Sequence, residues 1–178
     1  MTIVLSPCPP VAKADEGPGP AAGRIRGKRI GLRRDRFWRS WDWITDEWNG
    51  ALQGTGACPV IWRAPVGKGA EQARAGTAQL AGFLSQVDIV ITGLCTCGSC
   101  TLWAVHDGLE ALKLGIPAVF VSTTHFERLA RALAARAGFA DIRMHVLPHP
   151  MEGRLEEDVR HIAREHFGGV LAALGAEW

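Results

Sequence analysis

The stretch Val87-Asp-Ile-Val-Ile-Thr92-Gly-Leu-Cys95-Thr-Cys97-Gly-Ser-Cys100-Thr-Leu-Trp103 joins an apolar run to a helical pattern through three closely spaced cysteines. Residues 87–92 read as a buried strand and residues 99–114 as a helix. A thiol cluster therefore sits at a strand-to-helix turn. Ser99 or Cys97 is placed to cap the helix, so unpaired backbone N–H groups and the positive end of the helix dipole point at the Cys97 sulfur. That setting favours thiolate over thiol. Cys100 lies one turn further along the same face, so the two can close a disulfide or hold one reacting atom between them. The expectation is a redox or nucleophilic dithiol.

Working outward, the same strand–helix alternation repeats along the chain. Residues 27–33 form a short strand and residues 37–52 a helix carrying Trp38, Trp41, Trp43 and Trp48. Trp41, Ile44 and Trp48 share one face of it. A second strand covers residues 57–63, and a helix over residues 69–86 is marked by Ala73, Leu80, Phe83 and Leu84. Beyond the cysteines, residues 118–122 are a fourth strand and 126–137 a helix stopped by Gly138. A fifth strand, 142–147, ends in Pro148-His149-Pro150, and a closing helix over 155–174 starts with Glu156, Glu157 and Asp158, as the dipole favours. Residues 1–27, rich in proline and glycine and containing Cys8, read as a disordered or surface-draped tail. The domain is then residues 28–178.

Five strands alternating with helices make a βαβ series. The fold class is a single α/β domain: a five-stranded, mostly parallel sheet with helices on both faces, Rossmann-like or flavodoxin-like in strand order. In such sheets the ligand crevice lies outside the carboxyl ends of the strands. That edge collects Arg33, Arg34 and Asp35, then Cys95, Cys97 and Cys100, then Thr123, Thr124 and His125, and finally His149. No segment offers a G-x-G-x-x-G or P-loop pattern, and Gly67-Lys-Gly69 is a plain glycine turn, so no bound nucleotide is expected.

Composition narrows the function classes. The 178 residues, 47% hydrophobic, are enough for one core, and 20 basic against 18 acidic residues give a formal charge of +2 without a basic stripe. Nucleic acid is not an expected partner. No stretch approaches the ~18 apolar residues of a membrane span and the start lacks the features of a signal peptide, so a cytoplasmic location is expected. Five cysteines, three of them bunched, fit chemistry better than a secreted disulfide framework.

The run Gly93-Leu-Cys-Thr-Cys97-Gly-Ser-Cys100-Thr-Leu-Trp103-Ala-Val-His106-Asp107, followed by Leu114-Gly-Ile-Pro117 and Pro148-His149-Pro150, resembles the UGSC family. The resemblance covers residues 27–150 and is densest over 93–118. That family is named for a motif whose first position is selenocysteine in some members, and Cys97 occupies that position. The chain is also distantly similar to the selenoprotein B component of glycine reductase, whose reactive selenocysteine stands at a comparable turn. The resemblance implies catalysis or redox at Cys97. Cys95 and the tryptophan-rich helix lie outside the pattern.

These readings assign roles to named residues. Cys97 is the nucleophile and Cys100 the resolving thiol of an enzyme that reduces or cleaves a small acidic or sulfur-containing substrate, reset by an external thiol or a thioredoxin-like donor. His149, fixed between two prolines, or His125 manages the proton. Arg33 anchors an acidic group through paired donors, with Thr123, Thr124, Ser99 and Trp38 as further substrate contacts. His106 is either a proton donor to the thiols or a core histidine, and the tryptophan face is either core or an interface between copies of the chain. Two alternatives stay open: a non-redox lyase or transferase using Cys97 alone, and a metal-binding or redox-sensing module using Cys95, Cys97 and Cys100. No resident cofactor is expected.

Overall fold

The computed structural model describes residues 17–65 and 70–178, without the side chains of residues 70–75. Cys8, most of the proline-rich tail and the Gly67–Gly69 turn lie outside the described residues. In chain order the elements are β1 (Gly23–Arg24), β2 (Arg29–Arg34), α1 (Arg39–Gly54), β3 (Cys58–Arg63), α2 (Ala70–Leu84) and β4 (Ile89–Cys95). They continue as α3 (Gly98–Lys113), β5 (Ala118–Thr123), α4 (Glu127–Arg136), β6 (Met144–Leu147), α5 (Glu156–Leu174) and β7 (Ala176–Glu177). Strands β2 to β6 form one sheet in the order β3-β2-β4-β5-β6, every pair parallel. Counting only these five strands, this is the 2-1-3-4-5 flavodoxin-like order, and its topological switch point lies between β2 and β4. No helix among the described residues is long and apolar enough to cross a membrane.

The period-2 alternation of each strand divides the core into two layers. Ile30 and Leu32 of β2, Ile89 and Ile91 of β4, and Val119 and Val121 of β5 face a cluster completed by Trp41, Ile44 and Trp48 of α1 and Val170, Leu171 and Leu174 of α5. On the opposite face, Val90, Ala118 and Phe120 meet Leu80, Phe83 and Leu84 of α2, Ala104, Val105 and Leu109 of α3, and Ala130 and Ala134 of α4. The tryptophan face is thus core. Trp41 and Trp48 meet edge to face at 5.6 Å, and their indole N–H groups donate to the carbonyls of Arg33 (2.9 Å) and Ala163 (2.8 Å).

The domain boundary moves from the expected one. Instead of draping the surface, Gly23–Arg24 pair in parallel with Ala176–Glu177, and Ile25 is fully buried in the α1/α5 layer. The pairing partner is the far end of the chain, which local pattern cannot announce. Gly175, in the left-handed conformation at φ 67°, ends α5 and releases the chain into β7.

Both faces of the sheet offer a test of this packing. A methyl group at Gly108, on the inner face of α3, would strike the Phe120 ring and lie 2.8 Å from Thr92 Cγ2. Helix propensity alone favours Gly108→Ala by about 1 kcal/mol, whereas overpacking costs about 1–3 kcal/mol. Urea unfolding should show a net loss of stability; a gain would mean that α3 stands further from the sheet. At the β6/α5 contact, His145 Nε2 and His166 Nδ1 are 2.8 Å apart. Burial, with His166 alongside, lowers the His145 pKa to about 4. The unfolded chain therefore binds a proton between about pH 6.5 and 4 that the folded chain refuses. The contribution is complete above pH 6.5 and is lost as the pH falls. His145→Gln should flatten that acid limb in urea midpoints compared at pH 7 and 4.5.

Candidate functional site

The β4–α3 turn lies at the switch point. Cys97 is the N-cap of α3, in extended conformation (φ −145°, ψ 168°), and its Sγ accepts the Cys100 backbone N–H at 3.1 Å. Cys97 and Cys100 are joined as a disulfide with Cα atoms 5.2 Å apart. The two sulfurs differ in access: Cys97 is half-buried, whereas Cys100 is 7% exposed. They also differ in their donors. The Trp38 indole Nε1–H reaches Cys100 Sγ at 2.9 Å, while the exposed Ser99 hydroxyl lies 3.5 Å from Cys97 Sγ. Trp38 is held in turn by Asp35, whose Oδ1 accepts the backbone N–H groups of Phe37 (2.8 Å) and Trp38 (3.2 Å). Trp38, expected as a substrate contact, is thereby placed against the Cys100 sulfur.

Cys95 does not join the pair. As the last residue of β4 it is fully buried in the α3 layer, and burial pushes its thiol pKa up to about 12. It is a neutral, apolar-packed thiol, which removes the third ligand that the metal alternative required. Among the described residues no group of three or more His, Cys, Asp or Glu is arranged to hold a metal ion.

The structure also reassigns Arg33. Its guanidinium is buried, with Nε donating to Asp107 Oδ2 at 2.8 Å and Nη1 to the Gly93 carbonyl at 3.0 Å. The acidic group expected from a substrate is supplied by the chain itself. Arg34 is likewise paired, with Asp46 at 2.6 Å. The other Asp107 oxygen lies 3.1 Å from His106 Nδ1, and that hydrogen bond raises the His106 pKa against the opposing effect of burial. His106 is therefore oriented by Asp107 rather than by the thiols.

The remaining residues gather at the end of β5. Thr123 is buried, and its Oγ1 donates to the Cys95 carbonyl at 3.1 Å, so toward His149 Nδ1, also at 3.1 Å, it acts as acceptor. This bonding places the His149 proton on Nδ1 and leaves Nε2 as the basic nitrogen. Burial and then the neighbouring His125 lower the His149 pKa, which keeps the ring neutral. The two imidazoles are 4.2 Å apart between centroids. His125 and Thr124 are exposed, and the Thr124 backbone N–H pairs with Leu147. The histidine pair thus hangs on the carbonyl of the residue two positions before Cys97.

Some folds of this strand order hold a ligand phosphate at the switch point, on helix N-terminal amides. Here those amides serve the chain's own acids. Asp35 takes the N–H groups of Phe37 and Trp38; Glu152 takes the Ser40 N–H at 3.2 Å and also bonds the Ser40 hydroxyl. A phosphate arriving at the first turn of α1 would meet two carboxylates, so this loop does not fit one. Glu152 escaped sequence reasoning because it lies 112 positions from Ser40. Asp107 carried a weak signal: an acid on the same helical face as Cys100 and Trp103.

Removing the Asp107 charge tests the buried pair. Asp107→Asn leaves the Arg33 guanidinium unneutralised in the interior, for an expected loss of about 3–5 kcal/mol in chemical denaturation. The same change should lower the His106 pKa, read by NMR titration. An unchanged pKa would show that the carboxylate does not serve His106.

No curated protein matches the chain in sequence. Among solved structures, it is similar to an NAD(P)H:quinone oxidoreductase from Methanothermobacter marburgensis, with 11% identity and a TM-score of 0.49 over 79% of this chain and 98% of that one. It is also similar to a diflavin flavoprotein A3 from Nostoc sp., with 8% identity and a TM-score of 0.48 over 83% and 94%. The fold assignment rests on the strand order itself. The UGSC family pattern matches residues 3–176, and the chain belongs to the UGSC family.

Proposed function

We propose that this protein is a thiol-dependent oxidoreductase acting on a small sulfur-containing electrophile. The observation that carries the reading is the unequal pair at the α3 N-terminus: a more accessible Cys97 sulfur that accepts a backbone N–H, bonded to a buried Cys100. An N-terminal helix position lowers a thiol's pKa and makes the outer cysteine of such a pair the attacking one. In the reduced protein, the Cys97 thiolate attacks the substrate sulfur and displaces a leaving group. The Cys100 thiolate then attacks Cys97 Sγ, closing the disulfide and releasing the substrate sulfur as a thiolate. Two electrons pass from the dithiol to the substrate. An external dithiol, such as a thioredoxin-like donor in a reducing compartment, restores the pair. His149, which follows β6 and is held by Thr123 at the end of β5, supplies a proton acceptor through its basic Nε2.

The substrate's acidic anchor is not Arg33, which is committed to Asp107. Recognition falls instead to exposed groups at this edge of the sheet: Ser99 beside Cys97, and Thr124 and His125 after β5.

Thiolate-specific alkylation of the reduced protein across a pH series, with each modified cysteine located by mass spectrometry, tests this. Cys97 should react first with an apparent pKa below the ~8.5 of an ordinary thiol. Cys97 should outpace exposed Cys58 at neutral pH, and Cys95 should stay unmodified in the folded protein. One equivalent of a disulfide oxidant should then link Cys97 to Cys100. A stable Cys97 adduct that Cys100 never displaces would sink the redox mechanism in favour of a Cys97 nucleophile acting alone. Equal reactivity of Cys97 and Cys58 would remove both.

A further inference from the structure

We propose that Trp38 is a catalytic residue of the thiol exchange, its indole N–H holding the Cys100 sulfur while that sulfur carries the negative charge. The inference rests on the dithiol reading above and adds to it a donor from outside the cysteine motif. Cys97 receives the Cys100 backbone N–H at 3.1 Å, an arrangement any N-cap can supply. Cys100, inside the helix and buried, has its own backbone N–H directed at Cys97 and needs a donor from elsewhere. Trp38 Nε1 meets that need at 2.9 Å, from an element 62 positions away. Tryptophan is suited to the task because its N–H donates and never accepts.

The geometry matters in both directions of exchange. When a donor thiolate attacks the more accessible Cys97 Sγ, a donor–Cys97 disulfide forms and the Cys97–Cys100 bond breaks. The electron pair goes to Cys100 Sγ, and a lower-energy leaving thiolate departs faster. The donor's second thiolate then attacks its own sulfur in the mixed disulfide. The Cys97 thiolate is released, the donor is oxidised to its disulfide, and this chain has gained two electrons. In the forward direction the same N–H keeps Cys100 ionised for its attack on the Cys97 adduct. Trp38 can serve both because its backbone is pinned: Asp35 Oδ1 accepts the N–H groups of Phe37 and Trp38, and the Asp35 carbonyl accepts from Arg63 at 2.7 Å.

The test compares Trp38→Phe with Trp43→Phe, a half-buried tryptophan of the same helix whose ring lies under Arg39. Loss of a hydrogen bond to a charged sulfur should raise the apparent pKa of Cys100 by about one unit, measured by alkylation in a Cys97→Ser background. In the otherwise native protein it should slow reduction of the disulfide by dithiothreitol about tenfold at neutral pH, with Trp43→Phe unchanged. A second measurement needs no variant. Of the seven indole N–H resonances in ¹⁵N-tryptophan-labelled protein, one should move on reduction of the disulfide. An unaltered Cys100 pKa in Trp38→Phe, or seven indole resonances indifferent to reduction, overturns the proposal. The Cys97→Ser titration needs only the Trp38–Cys100 contact, so it reports on that contact whether or not Cys97 and Cys100 form a catalytic pair.

Discussion

The site depends on a buried guanidinium. Arg33, near the end of β2, reaches across the switch point to Asp107 on α3 and to the carbonyl of Gly93 on β4, while its own carbonyl accepts from Trp41 on α1. One residue thereby ties together two central strands and the two helices that follow them. Burying an ion costs several kcal/mol unless its partners are well placed, so this arrangement admits little latitude in where β4 ends and α3 begins. Cys97 and Cys100 lie in that interval. Their register with Trp38, which starts α1, is a consequence of the same anchoring.

Close approach reinforces the constraint. A side chain at Gly93 would press on the Trp41 ring at 2.9 Å and on the Val121 carbonyl at 3.1 Å. The bare backbone lets α1 lean onto the sheet beside the turn. The β4–β5 register shifts between Thr92 and Cys95, and the Cys95 carbonyl becomes the acceptor for Thr123 and, through it, the support of His149. The sulfurs and the imidazoles are therefore attached to the two sides of one irregularity in the central strand.

The electrostatics of the same edge are inverted relative to a phosphate-binding member of this topology. The first turn of α1 is capped by Asp35 and Glu152, and burial raises the pKa of Asp35. The N-terminus left for chemistry is that of α3, where the capping group is a sulfur. A helix end that would otherwise hold an anionic ligand here faces an anion-forming side chain of the chain itself.

The sequence by itself determined the alternation of strands and helices, the placement of the cysteine turn at a helix start, and the one-turn spacing that puts Cys97 and Cys100 on one face. These are local: periodicity, glycine and proline punctuation, and spacing within one helical turn fix them. It also brought the right strand ends to one edge, since parallel βαβ order dictates that much. Only the tertiary structure decided which side chains are spent on one another. Arg33 looked like a surface donor for substrate because its strand reads as short and basic, yet its partner stands 74 positions away. Cys95 looked like a member of the thiol cluster, but the register shift between Thr92 and Cys95 breaks the two-residue alternation and turns its side chain into the α3 layer. Trp38 and Cys100, 62 positions apart, and the pairing of residues 23–24 with 176–177 left no mark on either segment alone. Contacts of that separation arise when layers close on a sheet, and burial, rather than any local preference, selects them.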